Sequence, residues 1–153
     1  MKLDTIHLGK LLKITLIFIF IISIPSIVIV PFLLNHNYSI IYSMLIVYPN
    51  GILMLGIMYN FIKLFKSLEE NNPFNYDNVK ILKNTGIISF IMSILWLIDL
   101  LIMILLIKNT YINYILVLIF LFVLFFGVSI ALLILCLLIK QATDYKIEND
   151  LTI

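Results

Sequence analysis

Four long runs of apolar residues constrain the fold of this chain more than any other feature. They extend from Ile14 to Leu34, from Ile40 to Ile62, from Gly86 to Ile107 and from Ile112 to Ile139. A helix rises about 1.5 Å per residue, so about 20 apolar residues cross a hydrocarbon layer about 30 Å thick. The sequence therefore predicts an all-α integral membrane protein, a bundle of four transmembrane helices.

The composition leaves no room for a soluble domain. Of 153 residues, 63% are hydrophobic and 12% are charged, whereas soluble domains average about 45–50% apolar and about 25% charged residues. The net charge of +2 is small and the lysines are scattered, so we expect no direct binding of nucleic acid. Residues 1–153 are interpreted as a single transmembrane domain surrounded by lipid.

The first apolar run begins like a secretory signal peptide, with lysines ahead of an apolar body. Bodies of signal peptides usually have about 7–15 residues and end at a cleavage site of small residues. This run is longer and ends in Pro31-Phe32-Leu33-Leu34. We expect an uncleaved helix, bent by Pro25 and Pro31.

The placement of lysine predicts the orientation, because cytoplasmic loops carry the excess of basic residues. All 10 basic residues are lysine, and only Lys108 falls on the outer side of the predicted bundle. The others share the opposite side: Lys2, Lys10, Lys13, Lys63, Lys66, Lys80, Lys83, Lys140 and Lys146. Absent arginine and abundant Ile and Asn are typical of an AT-rich bacterial genome. We predict a multi-pass protein of the bacterial cytoplasmic membrane with both termini in the cytoplasm.

Two cytoplasmic segments follow from this orientation. Helices 2 and 3 are predicted to extend beyond the membrane as a hairpin over residues 63–85, with Asn75 or Asp77 capping helix 3. Residues 140–153 form a tail. Asp144 and Glu148 repel each other at spacing four, so we expect helix 4 to fray near Ile147.

Asp99 is the only charged residue inside a predicted span. A charged Asp at the bilayer centre costs about 2.5–3.5 kcal/mol on insertion scales, so such residues usually face protein and find partners. Side chains at similar depth could form a polar cluster with it: Tyr48, Asn50, Ser23 and Ser26. The cluster is either a proton or ligand site or a hydrogen-bonded packing contact, and the sequence leaves both open.

Helix 2 carries an unusual tetrapeptide, Tyr48-Pro49-Asn50-Gly51. Proline removes a backbone donor and glycine loosens the backbone, so a helix break is predicted at Pro49 and Gly51. Small residues at spacing four occur in helices 3 and 4, where close helix approach is expected: Ser89 with Ser93, and Gly127 with Ala131.

The sequence contains no recognisable motif of an enzyme active site. There is no nucleophile elbow, phosphate loop, paired-carboxylate motif or zinc signature. His7 and His36 fall on opposite sides of the membrane in the predicted topology and cannot share a metal. We expect no enzymatic activity, no metal and no cofactor.

Two segments resemble the signatures of a bacterial membrane family of unknown function, DUF2975. In the hairpin the resemblance is carried by Asn72, Pro73, Phe74, Asn78, Lys80 and Gly86 within residues 72–86. In the tail it is carried by Glu148, Asn149, Asp150, Leu151, Thr152 and Ile153. The resemblance implies a small four-helix membrane protein without assigned activity, paired with a short helix-turn-helix regulator.

Three functions remain open at this level. The first is a regulatory or sensory protein whose hairpin and tail bind a cytoplasmic partner, and the second is a small transporter or channel-like protein using Asp99. The third is an immunity or envelope-stress protein. Homo-oligomerisation also stays open.

Overall fold

The computed structural model describes residues 2–33, 40–70, 72–106 and 112–151. Within those ranges the chain forms four helices: α1 (Lys2–Leu33), α2 (Ile40–Glu69), α3 (Tyr76–Leu106) and α4 (Ile112–Leu151). Each is long enough and apolar enough to cross a membrane. The all-α class and the four apolar helices are therefore confirmed, and they indicate a multi-pass membrane protein.

Consecutive helices pack against each other in antiparallel order. Gly9 at the start of α1 lies against Leu68 near the end of α2, where an added Cβ would be 3.3 Å from the Leu68 Cβ. Tyr76 at the start of α3 donates a hydrogen bond to Asp144 near the end of α4. The start of α1, the connection between α2 and α3 and the end of α4 therefore lie together, at what we call the hairpin end.

The helices form a series in which each packs on its neighbours in sequence. The α3–α4 interface is the most extensive and the α2–α3 interface the smallest. In the parts of α1, α3 and α4 that the structure describes, no Cα of α1 lies within 8 Å of a Cα of α3 or α4. The bundle is thus two helix pairs, α1–α2 and α3–α4, joined along α2 and α3.

Two apolar clusters make up the core. Leu82, Leu132 and Cys136 pack between α3 and α4 near the hairpin end, and Leu100, Met103 and Leu118 pack together at the other end of the same pair. Most other large apolar side chains are exposed, and those of α1 most of all. Such a surface is favourable in hydrocarbon and unfavourable in water.

Small residues permit close packing at some of the predicted positions. Ser89 and Ser93 are fully buried, and at Gly86 an added Cβ would lie only 3.0 Å from the side chain of Leu133. Gly127 and Ala131 are exposed, and an added Cβ on Gly127 would meet nothing within 4 Å. The expected close approach at Gly127 and Ala131 is therefore wrong within this chain, because that face of α4 points away from the bundle.

Candidate functional sites

The intramembrane polar site consists of one side chain from each of two helices. Asp99 of α3 and Asn50 of α2 are 8% and 6% exposed. The Asn50 amide Nδ2 lies 3.5 Å from the Asp99 Oδ2 and also donates to the Ile46 carbonyl at 2.9 Å. The Asn50 Oδ1 is buried and has no hydrogen-bond partner among the described residues. The pair connects the two halves of the bundle at their smallest interface.

The other residues of the predicted cluster do not join this pair. Ser23 and Ser26 donate to carbonyls of their own helix, at 2.8 Å to Ile19 and 2.9 Å to Ile22. They lie on α1, which packs on α2 and stays away from α3. Tyr48 is half-buried two positions before Asn50, so about 200° of helical rotation separates the two side chains.

The predicted helix break at Pro49 and Gly51 is wrong, because α2 is continuous from Ile40 to Glu69. Spanning helices tolerate proline when neighbouring groups satisfy the nearby backbone. Pro49 leaves the Leu45 carbonyl without its helical donor, and the Asn50 side chain donates to the adjacent carbonyl of Ile46. Gly51 has a different role: an added Cβ would lie 2.7 Å from Ile27 Cγ1, so Gly51 admits the Ile27 side chain of α1.

A groove of about 440 Å³ lies beside this contact, between α1 and α2. Its lining is apolar apart from Ser23 and Ser26 and includes Phe18, Ile22 and Met54. Both hydroxyls already donate within α1, so the polar capacity of the groove is limited to their oxygens as acceptors. It fits an apolar chain such as those of the surrounding lipid.

The hairpin connection is held by a compact hydrogen-bond network. Asn78 is 3% exposed, and its Nδ2 donates to the Ser67 Oγ and to the Pro73 carbonyl, both at 2.8 Å. Ser67 donates to the Asn72 carbonyl at 2.6 Å. The Asn75 Oδ1 accepts from the Asn78 backbone N–H at 2.7 Å, which confirms Asn75 as the cap of α3. These bonds account for Asn78 of the hairpin signature, whereas Asn72 contributes only its backbone carbonyl.

Contacts between α3 and α4 continue to the hairpin end. The Tyr76 hydroxyl donates to the Asp144 Oδ1 at 2.5 Å, and the Cys136 Sγ lies 3.3 Å from the Val79 carbonyl. Farther in, Ser129 donates to the carbonyl of Gly86 at 2.9 Å. Gly86 of the hairpin signature is thus a site of close packing between the two helices.

The predicted fraying of α4 near Ile147 is wrong, because the helix continues to Leu151. Asp144 interacts with Tyr76, and the neighbouring Thr143 is buried against the bundle. These contacts outweigh repulsion between Asp144 and Glu148, a pair effect of about 0.2–0.5 kcal/mol. Glu148 is exposed; Thr152 and Ile153 of the tail signature lie outside the described residues.

The charges of the hairpin end are unevenly compensated. Lys13 of α1 forms an ion pair with Glu69 of α2, and Lys66 pairs with Glu70 at 3.6 Å. Other lysines there are exposed and make no ion pair with any described residue: Lys10, Lys80, Lys83, Lys140 and Lys146. Phe74 of the hairpin signature is 45% exposed. Asp77 and Glu148 are exposed there as well, so the hairpin end presents a mixed surface with an excess of positive charge and an exposed aromatic ring.

No metal centre is assembled in the part of the chain that the structure describes, where no three His, Cys, Asp or Glu side chains could hold an ion together. His7 is exposed. His36 falls outside the described ranges.

Sequence reasoning missed Ser67, whose hydroxyl is central to the hairpin network. It also missed Ile46, whose carbonyl holds Asn50. A serine near a helix end has no distinctive sequence pattern, and a backbone carbonyl has none at all. Only the fold could identify them.

Comparison with known families adds one match. A family model described as a protein of unknown function (DUF2975) matches residues 24–153, which extend from the second half of α1 to the C-terminus and include both signatures. Searches of curated proteins and of solved structures return no match.

Proposed function

Because the chain belongs to the DUF2975 family of proteins of unknown function, we propose that it is a non-enzymatic regulatory or sensory membrane protein. Its hairpin end faces the cytoplasm and binds a cytoplasmic protein there. A small helix-turn-helix regulator is the partner that the family resemblance implies. In this view the chain recruits a nucleic-acid-binding protein and does not itself bind nucleic acid.

The observation that carries the proposal is the construction of the hairpin end. Asn78 and Ser67 fix the connection between α2 and α3, although an unpartnered surface loop needs no such rigidity. The same end displays lysines that form no ion pair with a described residue and the exposed rings of Phe74 and Tyr145. Aromatic and basic side chains on a rigid frame are suited to binding a protein with acidic and apolar surface.

The lysine distribution supports the cytoplasmic orientation. The hairpin end carries Lys10, Lys13, Lys63, Lys66, Lys80, Lys83, Lys140 and Lys146 within the described ranges. Positive charge is retained on the cytoplasmic side during membrane insertion. A partner at this end is therefore a cytoplasmic one in our proposal.

A second function is favoured by the buried Asn50–Asp99 pair. A carboxylate inside a membrane-spanning bundle is a feature of proton and solute pathways. The pair contributes only two polar side chains, however, and Ser23 and Ser26 do not extend it. Transport therefore ranks behind regulation, and no contact in the described structure favours an immunity or envelope-stress role.

Site-specific photo-crosslinking in living cells tests the regulatory function. A photoreactive residue at Phe74 or Tyr145 should crosslink one cytoplasmic protein. The same residue at Leu105, exposed near the opposite end of α3, should not. Deleting Asn149 to Ile153 should reduce that crosslink and release the captured protein from the membrane fraction, at unchanged membrane levels of the chain. An identical crosslinking pattern at Phe74 and Leu105 would contradict the proposal.

A further inference from the structure

One buried acceptor of the Asn50–Asp99 pair, the Asn50 Oδ1, has no donor among the described residues. One hydrogen of the Asn50 amide points to the Ile46 carbonyl at 2.9 Å, and the nitrogen is 3.5 Å from the Asp99 Oδ2. The Asn50 Oδ1 accepts no hydrogen bond from any described residue and is shielded from solvent. The site thus contains an acceptor without a donor, beside a carboxyl group held by one long contact.

An ionised Asp99 cannot supply the missing donor, because a carboxylate only accepts hydrogen bonds. A neutral carboxylic acid carries one O–H donor and keeps a carbonyl acceptor. A carboxylic acid and a primary amide can therefore form two reciprocal hydrogen bonds, acid O–H to amide oxygen and amide N–H to acid carbonyl. The second amide hydrogen remains available to Ile46.

We infer that Asp99 takes up one proton from water and pairs with Asn50 as a neutral carboxylic acid, making this pair a proton-binding site between the two halves of the bundle. The proton forms one O–H bond on Asp99, and that O–H donates to the Asn50 Oδ1. The orphaned acceptor is satisfied, and the membrane interior contains no net charge at this position. The inference is independent of the cytoplasmic partner.

No fixed charge near the site offers Asp99 an alternative partner. The elements packed on α3 are α2 and α4, and neither has a charged residue within residues 40–62 or 112–139. The titratable side chains on those stretches are Tyr42, Tyr48, Tyr59, Tyr114 and Cys136. A proton is therefore the positive charge that can neutralise the Asp99 carboxylate.

Infrared spectroscopy of the purified full chain in alkyl glycoside micelles, which contain no ester carbonyl, tests this inference. At neutral pH the wild-type protein should show the carbonyl absorption of a protonated carboxylic acid, and the band should shift in heavy water. Asp99→Asn should remove the band. Asp77→Asn, which changes an exposed carboxyl group at the hairpin end, should leave it intact.

Asn50→Leu provides a second variant that retains the acid. It should keep the band and shift its frequency, because the O–H loses its acceptor. A wild-type spectrum without the band would overturn the inference, as would a band that persists in Asp99→Asn or that keeps its frequency in Asn50→Leu. Circular dichroism of each variant verifies that the helices remain folded.

Discussion

At the residue scale, Asp99 constrains which side chains of α2 can pack against α3. It is buried against Asn50, and buried polar side chains need hydrogen-bond partners. The sequence located Asp99 and included Asn50 among its neighbours, because charge and depth are visible in a hydropathy pattern. It could not exclude Ser23 and Ser26, because depth alone does not reveal that α1 packs on the far side of α2.

Two substitutions of Asp99 should differ in stability. Asp99→Asn keeps polar groups that can bond Asn50, and it should insert and fold almost normally. Asp99→Leu leaves the Asn50 side chain without that partner and should lower the free energy of unfolding by about 1–2 kcal/mol. Reversible unfolding in mixed micelles measures both values. Equal stability of the two variants would contradict a bonding role for this pair.

Gly51 and Gly127 form a matched pair for a second comparison. A Cβ on Gly51 would lie 2.7 Å from Ile27, whereas one on Gly127 would meet nothing within 4 Å. Gly51→Ala should therefore destabilise the bundle by about 1–3 kcal/mol through overpacking. Gly127→Ala should be neutral or stabilising by up to about 1 kcal/mol, because alanine favours a helix.

The double variant Gly51→Ala with Ile27→Ala tests whether the Ile27 side chain causes the loss of stability expected in Gly51→Ala. Removing most of the Ile27 side chain should restore much of the stability lost in Gly51→Ala. If the double variant is less stable by the sum of the two single effects, the contact between Gly51 and Ile27 does not determine the packing of α1 on α2.

At the element scale, the four helices could be predicted while two of their details could not. Long apolar runs identify membrane helices because the hydrocarbon admits few other structures. The α2 helix continues through Pro49, although proline removes a backbone donor there. Continuity of α4 to Leu151 is supported by the contact with α3 at Tyr76. The second is a tertiary effect that overrides a local preference.

The hairpin network predicts a local effect of Asn78. Asn78→Ala removes donors to Ser67 and Pro73; Ser67 keeps the bond from Asn75, whereas the half-buried Pro73 carbonyl loses its side-chain donor, which costs about 1–3 kcal/mol. Hydrogen exchange should become faster at the start of α3 and in residues 72–75, while the α1–α2 interface keeps its protection. Lys80→Ala, which removes an exposed side chain, serves as the control. Equal exchange in both variants would show that the network does not hold the hairpin.

At the scale of the whole molecule, the antiparallel series of helices brings the hairpin, the start of α1 and the end of α4 to one end of the bundle. This end contains most of the lysines, and the regulatory proposal requires it to be in the cytoplasm. Orientation is therefore the central claim, since an external hairpin end could not meet a cytoplasmic partner.

Cysteine labelling in intact cells tests that claim most directly. The native Cys136 is replaced by alanine, and single cysteines are placed at Phe74, Thr152 or Asn109, the last two of which lie outside the described residues. The cysteine in the hairpin replaces Phe74, whose side chain is exposed. The neighbouring Asn75 is left in place because it caps α3. An impermeant thiol reagent should label only the Asn109 site, and the other two should react after the cells are opened. Labelling of the Phe74 site in intact cells would contradict the account.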